Sequence, residues 1–212
     1  MSPIADPLLD FALRALITLF VVVDPAGLVP AYVALLGKRG TRTDVAGRAV
    51  VIAGVVLLAF AIVGRPLLSY LGVTLGALQV AGGVLLFRIA VDMVFAQFRR
   101  ETAEEAAEAR AREDVSVFPL AIPLIAGPGA LASVLILTSE AAGTAGGYAV
   151  LLAAGIAVLG SAYVVLRSAR RVAGQLGQTG INVVTRVLGL VLAALAVQYV
   201  ADGVFGLGLV RV

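Results

Sequence analysis

Apolar residues run through this chain in long stretches, with the polar residues gathered in short intervals between them. Six stretches have the length and hydropathy of bilayer-crossing helices, at residues 11–36, 49–71, 74–96, 117–138, 148–166 and 182–205. A helix needs about 20 such residues to cross a hydrocarbon core. The first and fourth are interrupted near their middles, by Asp24-Pro25-Ala26-Gly27-Leu28-Val29-Pro30 and by Gly127-Pro128-Gly129. Pro25, Pro30 and Pro128 cannot donate a ladder hydrogen bond. An apolar span tolerates the freed backbone groups only where they are buried in protein or line a cavity. Paired breaks in corresponding spans are a pointer to a transport site.

Composition sets the class. Hydrophobic residues make up 61% of the 212 and charged ones 14%, with a mean hydropathy of +1.06, far from the mix of a soluble domain. The expected fold is all-α, a polytopic membrane protein forming one domain in the lipid bilayer. Cysteine and histidine are absent, which removes disulfides, thiol chemistry and the commonest proton carrier and metal ligand. No metal or other cofactor is expected, and any ion chemistry falls to carboxylates, hydroxyls, amides or backbone. An intramembrane enzyme would be left with a Ser–Lys or paired-Asp arrangement, and Lys38 lies in a loop, so no catalytic role is expected.

The net charge of +3 is spread over short loops, which argues against nucleic acid and for topology. Lys38, Arg39, Arg42 and Arg48 follow span one, Arg99, Arg100, Arg110 and Arg112 follow span three, and Arg167, Arg170 and Arg171 follow span five; the alternate loops hold only Arg65. The positive-inside rule then makes the first, third and fifth loops cytoplasmic and puts both termini outside. Residues 99–114, rich in Glu, Ala and Arg, read as a water-exposed helix within a linker at 97–115.

That linker joins two halves, about 8–96 and 116–206, that look like copies of each other. Pro25 matches Pro128, and Leu71-Gly72-Val73-Thr74 matches Leu176-Gly177-Gln178-Thr179, each ahead of a third span with a central glycine, Gly83 or Gly189. Three spans per half put the second copy in the membrane upside down, an inverted repeat.

Three segments carry a resemblance to a known family: Phe20-Val21-Val22-Val23-Asp24-Pro25-Ala26-Gly27-Leu28-Val29-Pro30, then Gln79-Val80-Ala81-Gly82-Gly83-Val84-Leu85-Leu86-Phe87, and Pro119-Leu120-Ala121-Ile122-Pro123-Leu124-Ile125-Ala126-Gly127-Pro128-Gly129. In this combination and order the chain resembles the MarC family of bacterial inner-membrane proteins over nearly its whole length. The family is also classed as neutral amino acid transporters, so the resemblance implies an inner-membrane secondary transporter of small neutral amino acids or similar polar metabolites. The chain departs from the family pattern at Leu28, where a polar residue is usual.

The residues give that expectation a chemistry. Asp24 suits an N-cap and Pro25 the first position of a new half-helix, with Gly27 allowing close approach. Each break starts a helix near the bilayer midplane, where N–H groups and partial positive charge suit a carboxylate. The expected substrate-binding set is Asp24, Pro25, Gly27, Pro30, Gly127, Pro128, Gly129 and Ser133, the last about a turn past the second break. A zwitterion would place its carboxylate on the amides and its ammonium on Asp24 or on broken-helix carbonyls. A coupling proton or sodium ion would use Asp24 or Asp92; Arg88, four residues before Asp92, can pair with it. The bland alternatives are a kink capped by Asp24 and a neutralised structural pair. Thr18, Gln79, Asn182, Thr185 and Gln198 are expected to bond helices together, Arg14 and Arg186 to reach for the interface, and Phe20 and Phe87 to fill space. A membrane scaffold or regulatory protein that transports nothing remains the second function class, and the pattern sets no oligomeric state.

Overall fold

The computed structural model describes residues 6–36, 43–95, 115–143 and 145–208. The loop charges Lys38, Arg39, Arg42, Arg99, Arg100, Arg110 and Arg112, and the helix expected at 99–114, lie outside them. Among the described residues every element is helical and no strand forms.

Helix α1 (Pro7–Val23) begins where Asp6 Oδ1 accepts the Leu8 N–H at 2.9 Å and Pro7 takes the first turn. This start signal sits ahead of the apolar run, so the helix begins earlier than hydropathy alone places it. It ends at Asp24, whose amide still donates to the Phe20 carbonyl at 3.0 Å while its own backbone turns left-handed (φ 41°, ψ 68°). After one turn α2 (Leu28–Leu36) leaves at 41° to α1. The second break is built differently. Residues Ser116–Ile125 form a wide, irregular coil in which Phe118 (φ −130°, ψ 128°) and Ile122 (φ −130°, ψ 124°) are extended. Each precedes a proline, whose ring forces its neighbour out of the helical region. Gly127 then caps α5 (Pro128–Ala141), set at 55° to the coil.

Two long helices complete each half: α3 (Thr43–Tyr70) and α4 (Leu75–Phe95), then α6 (Gly147–Arg167) and α7 (Ala169–Gly206). The last is expected from 182 but reaches back to Ala169, because the polar residues Arg170, Arg171, Gln175 and Gln178 hide helical structure from a hydropathy reading. It is broken at Gly177 (φ 60°, ψ 179°), and α3 and α4 are separated at Gly72 (φ 70°). Both glycines fall in the matched Leu-Gly-x-Thr segments, and both hold a positive φ that a side chain would strain. Among the described residues four helices are long and apolar enough to cross a membrane, and six crossings result if each bent pair is one.

The densest packing is between α4 and α7, which run antiparallel. A Cβ added at Gly76 would lie 2.8 Å from the Gly203 carbonyl oxygen, and one at Gly83 2.7 Å from that of Ala196. One at Gly189 would lie 2.9 Å from Met93 Cβ. Small residues at these crossings let the backbones meet, the usual means of association where lipid offers no hydrophobic drive. Elsewhere α1 lies along α6, while the proline coil and α5 lie along α3. The main core runs through Val29, Tyr32, Ala53, Leu120, Leu137 and Leu166. Phe20 and Phe87 do not fill space inside it: they are 39% and 45% exposed, on the outer face of the bundle.

Candidate functional site

At the first break the chain folds back onto its own carboxylate. Asp24 is buried, 8% exposed, and its Oδ1 accepts the Gly27 N–H at 3.0 Å. Leu28 N–H donates to the Asp24 carbonyl at 3.2 Å, and Val29 N–H to that of Ala26 at 3.2 Å. Pro30 has no proton to offer Ala26, so the helix tightens there. The capping bond expected of Asp24 is therefore present. The helix it was to start is displaced: regular structure begins at Leu28, not Pro25, because Asp24 is held left-handed to finish α1. A Cβ on Gly27 would run into the Asp24 carboxylate and lie 3.3 Å from Thr185 Oγ1. Glycine is needed here to make room for a side chain of the same turn. The contact also brings α7, from the other half, against the first break.

The second break presents bare amides. Gly127 has no side chain to cap with, Pro128 has no N–H, and Leu131 N–H donates to the Gly127 carbonyl at 3.0 Å. That leaves the amides of Gly129 and Ala130 at the start of α5 without intrahelical acceptors. Both residues are buried, while Gly127 is half-buried and Pro128 exposed. A Cβ on Gly129 would lie 2.6 Å from Ile89 Cδ1 and 3.4 Å from Val22 Cγ1. Val22 is two residues ahead of Asp24, so the two breaks are neighbours, with Leu86 and Ile89 of α4 packed against Gly129.

Around this seam and along α1 and α7 lie buried polar atoms for which the described residues supply no well-formed hydrogen bond. Ser133 Oγ, Thr185 Oγ1 and Asn182 Oδ1 are three of them; Thr18 Oγ1 and Tyr199 OH are two more, facing each other between α1 and α7, and Thr18 and Ser133 are 0% exposed. Such atoms are rare in folded proteins because each forfeits its hydration. Water, an ion or a ligand polar group can restore it. Of the residues expected to bond helices together, Thr18 of α1 meets Tyr199 of α7, while Thr185 Oγ1 makes no such bond among the described residues. Gln79 is buried, and Gln198 is exposed and donates to Asp202 at 2.7 Å.

Arg88 and Asp92 pair as their spacing implies, with Nε 3.2 Å from Oδ2. The aspartate side chain is 12% exposed and the arginine 68%. The pair stands on α4 just beyond Ile89, which covers Gly129. Arg186 is exposed. Arg14 does more than reach for the interface: it bridges to Asp10 at 2.6 Å and feels Glu140 on α5 and Tyr199 on α7. Glu140 in turn feels Asp202. This polar cluster escapes sequence reading because its members come from three helices. The visible signals were the i, i+4 spacings of Asp10 with Arg14 and of Gln198 with Asp202.

Comparison with known proteins places this architecture. The family model described as MarC family integral membrane protein matches residues 9–207. A UPF0056 membrane protein of Methanocaldococcus jannaschii is 35% identical over 201 residues, covering 93% of this chain and 98% of the relative. The UPF0056 membrane protein YvbG of Bacillus subtilis is 32% identical, covering 93% of this chain and 96% of its own length. YhcE of Escherichia coli, another UPF0056 membrane protein, is 29% identical, covering 90% of each chain. No solved structure matches the chain.

Proposed function

The chain belongs to the MarC family of integral membrane proteins, and from that premise we propose that it is a secondary transporter of small neutral amino acids or similar polar metabolites, with its substrate held between the two helix breaks. The observation that carries this reading is the meeting of the breaks: the uncapped, buried start of α5 lies against Val22, beside the Asp24 turn. The substrate carboxylate takes the Gly129 and Ala130 amides, where the helix dipole favours negative charge. Its ammonium takes Asp24, and the unpartnered hydroxyls of Thr185 and Ser133 line the space between. Asp24 or Asp92 holds the coupling proton or sodium ion, since no histidine exists to do so. The same lack of histidine and cysteine favours transport over catalysis.

The proposed framework is six spans in two inverted repeats, in the bacterial inner membrane with both termini outside. Bends of 41° and 55° fall far short of the reversal that a re-entrant hairpin needs, which favours broken spans. An in-plane two-fold axis would exchange α4 with α7, α3 with α6, and the first broken pair with the second. The antiparallel α4–α7 contact, the positive-φ glycines Gly72 and Gly177, and the packing of α1 on α6 as of the proline coil on α3 all fit that exchange.

The experiment is a screen of radiolabelled neutral amino acids in proteoliposomes, with sodium and proton gradients imposed separately. Saturable, gradient-driven uptake of at least one supports the reading. A flat response matching vesicles with an unrelated membrane protein would favour the scaffold instead.

A further inference from the structure

Outside the seam, a crevice opens between α3 and α6. These helices run antiparallel and are in contact at one end, where a Cβ at Gly54 would lie 3.2 Å from Leu159 Cδ1 and one at Gly47 3.7 Å from Tyr163 Cε2. Toward the other end they leave a space of about 990 Å³, backed by Leu19 and Val23 of α1 and Val134 of α5. Gly155 faces this space with nothing within 4 Å of where its Cβ would be. The walls are apolar and open: Val51, Val55, Ile62, Leu152 and Ile156 are between 52% and 65% exposed. The volume is at the upper end of the range of about 300–1,000 Å³ common for small-molecule sites.

One charge stands at its mouth. Arg65 lines the crevice and donates to the Tyr148 hydroxyl at 2.9 Å, bridging the two helices. Among the described residues it makes no ion pair, unlike Arg14 and Arg88. Its helix end lies near Tyr70, where the apolar span stops, so the guanidinium sits at interface depth. A planar guanidinium with free donors is matched by phosphate oxygens, and a tyrosine hydroxyl beside it supplies a further hydrogen bond. The apolar walls offer nothing to a small polar metabolite, but they match an acyl chain.

We infer that the α3–α6 crevice binds one phospholipid with an anionic headgroup, its phosphate on Arg65 and Tyr148 and an acyl chain along the walls past Gly155. Basic positions between membrane helices recognise lipid headgroups by the same logic. The site shares no polar residue with the proposed substrate seam and stands whether or not that seam carries a substrate.

The test is native mass spectrometry of the purified, delipidated chain mixed with equal amounts of phosphatidylglycerol and phosphatidylcholine of identical acyl chains. Both lipids carry the phosphate, but phosphatidylcholine adds a quaternary ammonium that the guanidinium repels, so the parent should retain the anionic lipid over the zwitterionic one by about fivefold. Arg65→Gln should erase that preference and Arg65→Lys keep part of it. Gly155→Leu, which fills the crevice without touching the headgroup site, should lower retention of both lipids. A parent with no headgroup preference, an Arg65→Gln variant that keeps it, or a lipid-free dimer with the crevice sealed by a second copy would each overturn the inference.

Discussion

Asp24 closes α1, caps its own turn through Gly27, and offers a buried carboxylate at the seam, so charge and shape at this residue can be separated by substitution. Asp24→Asn keeps an acceptor oxygen for the Gly27 N–H and removes the charge. It should leave thermal unfolding of the purified protein nearly unchanged while abolishing gradient-driven accumulation; exchange is lost as well where Asp24 holds the substrate ammonium, and retained only where it carries the coupling ion alone. Gly27→Ala keeps the charge but pushes the carboxylate off the turn. It should cost about 1 kcal/mol of stability, the usual worth of a lost cap, and lower uptake as well. Equal behaviour of the two variants in unfolding and uptake would show that capping alone is the role of Asp24. The Arg88–Asp92 pair answers to a different comparison. Removing one partner of a buried pair costs about 3–5 kcal/mol because the other charge is stranded. With Arg88 68% exposed, the loss on Arg88→Leu should fall at or below the low end of that range. The double change to leucine should unfold later than either single one, and equal damage from all three would argue against simple pairing.

At the scale of the element, the α4–α7 contact is the most exacting surface in the fold. Gly83→Leu drives a side chain into the Ala196 carbonyl and Val200. Overpacking of this kind costs typically about 1–3 kcal/mol, so midpoints of unfolding in mild detergent should fall. Gly160→Leu, where nothing lies within 4 Å, should leave them unchanged, and a similar loss at both sites would mean that the close crossing is not what stabilises the bundle. The helices themselves were largely legible in the sequence, since an apolar run of sufficient length has few other uses, and Pro25 and Pro128 mark breaks by a local mechanism. The local rules stopped short in three places. Pro119 and Pro123 turn 116–126 into an irregular coil, where hydropathy reads a continuous span. The polar start of α7 reads as loop although it is helical. At the candidate site, the positions of Asp24 and Gly129 could be read, but the approach of Thr185 and Val22 to them could not, because those contacts are made between halves about a hundred residues apart.

For the whole molecule, the loop charges imply an orientation that cysteine labelling can check. Cysteines at Thr41, Ala106 and Ser168 should be protected from an impermeant thiol reagent in intact cells, and one at Gly143 labelled; labelling of Ala106 from outside would reverse the topology. The central claim is that the two breaks together form a substrate site, and binding to correctly inserted variants tests it most directly. Gly27→Val and Gly129→Val each disturb one side of the seam, through the Asp24 carboxylate and through the Ile89 and Val22 contacts respectively. Gly155→Val, in open space on α6, should be milder. The measurement is equilibrium binding, to each purified variant, of the amino acid that the parent transports. The account expects binding to be lost at Gly27→Val and Gly129→Val and kept at Gly155→Val. Parent-like affinity in both break variants would contradict it, making the breaks structural kinks and placing the site elsewhere.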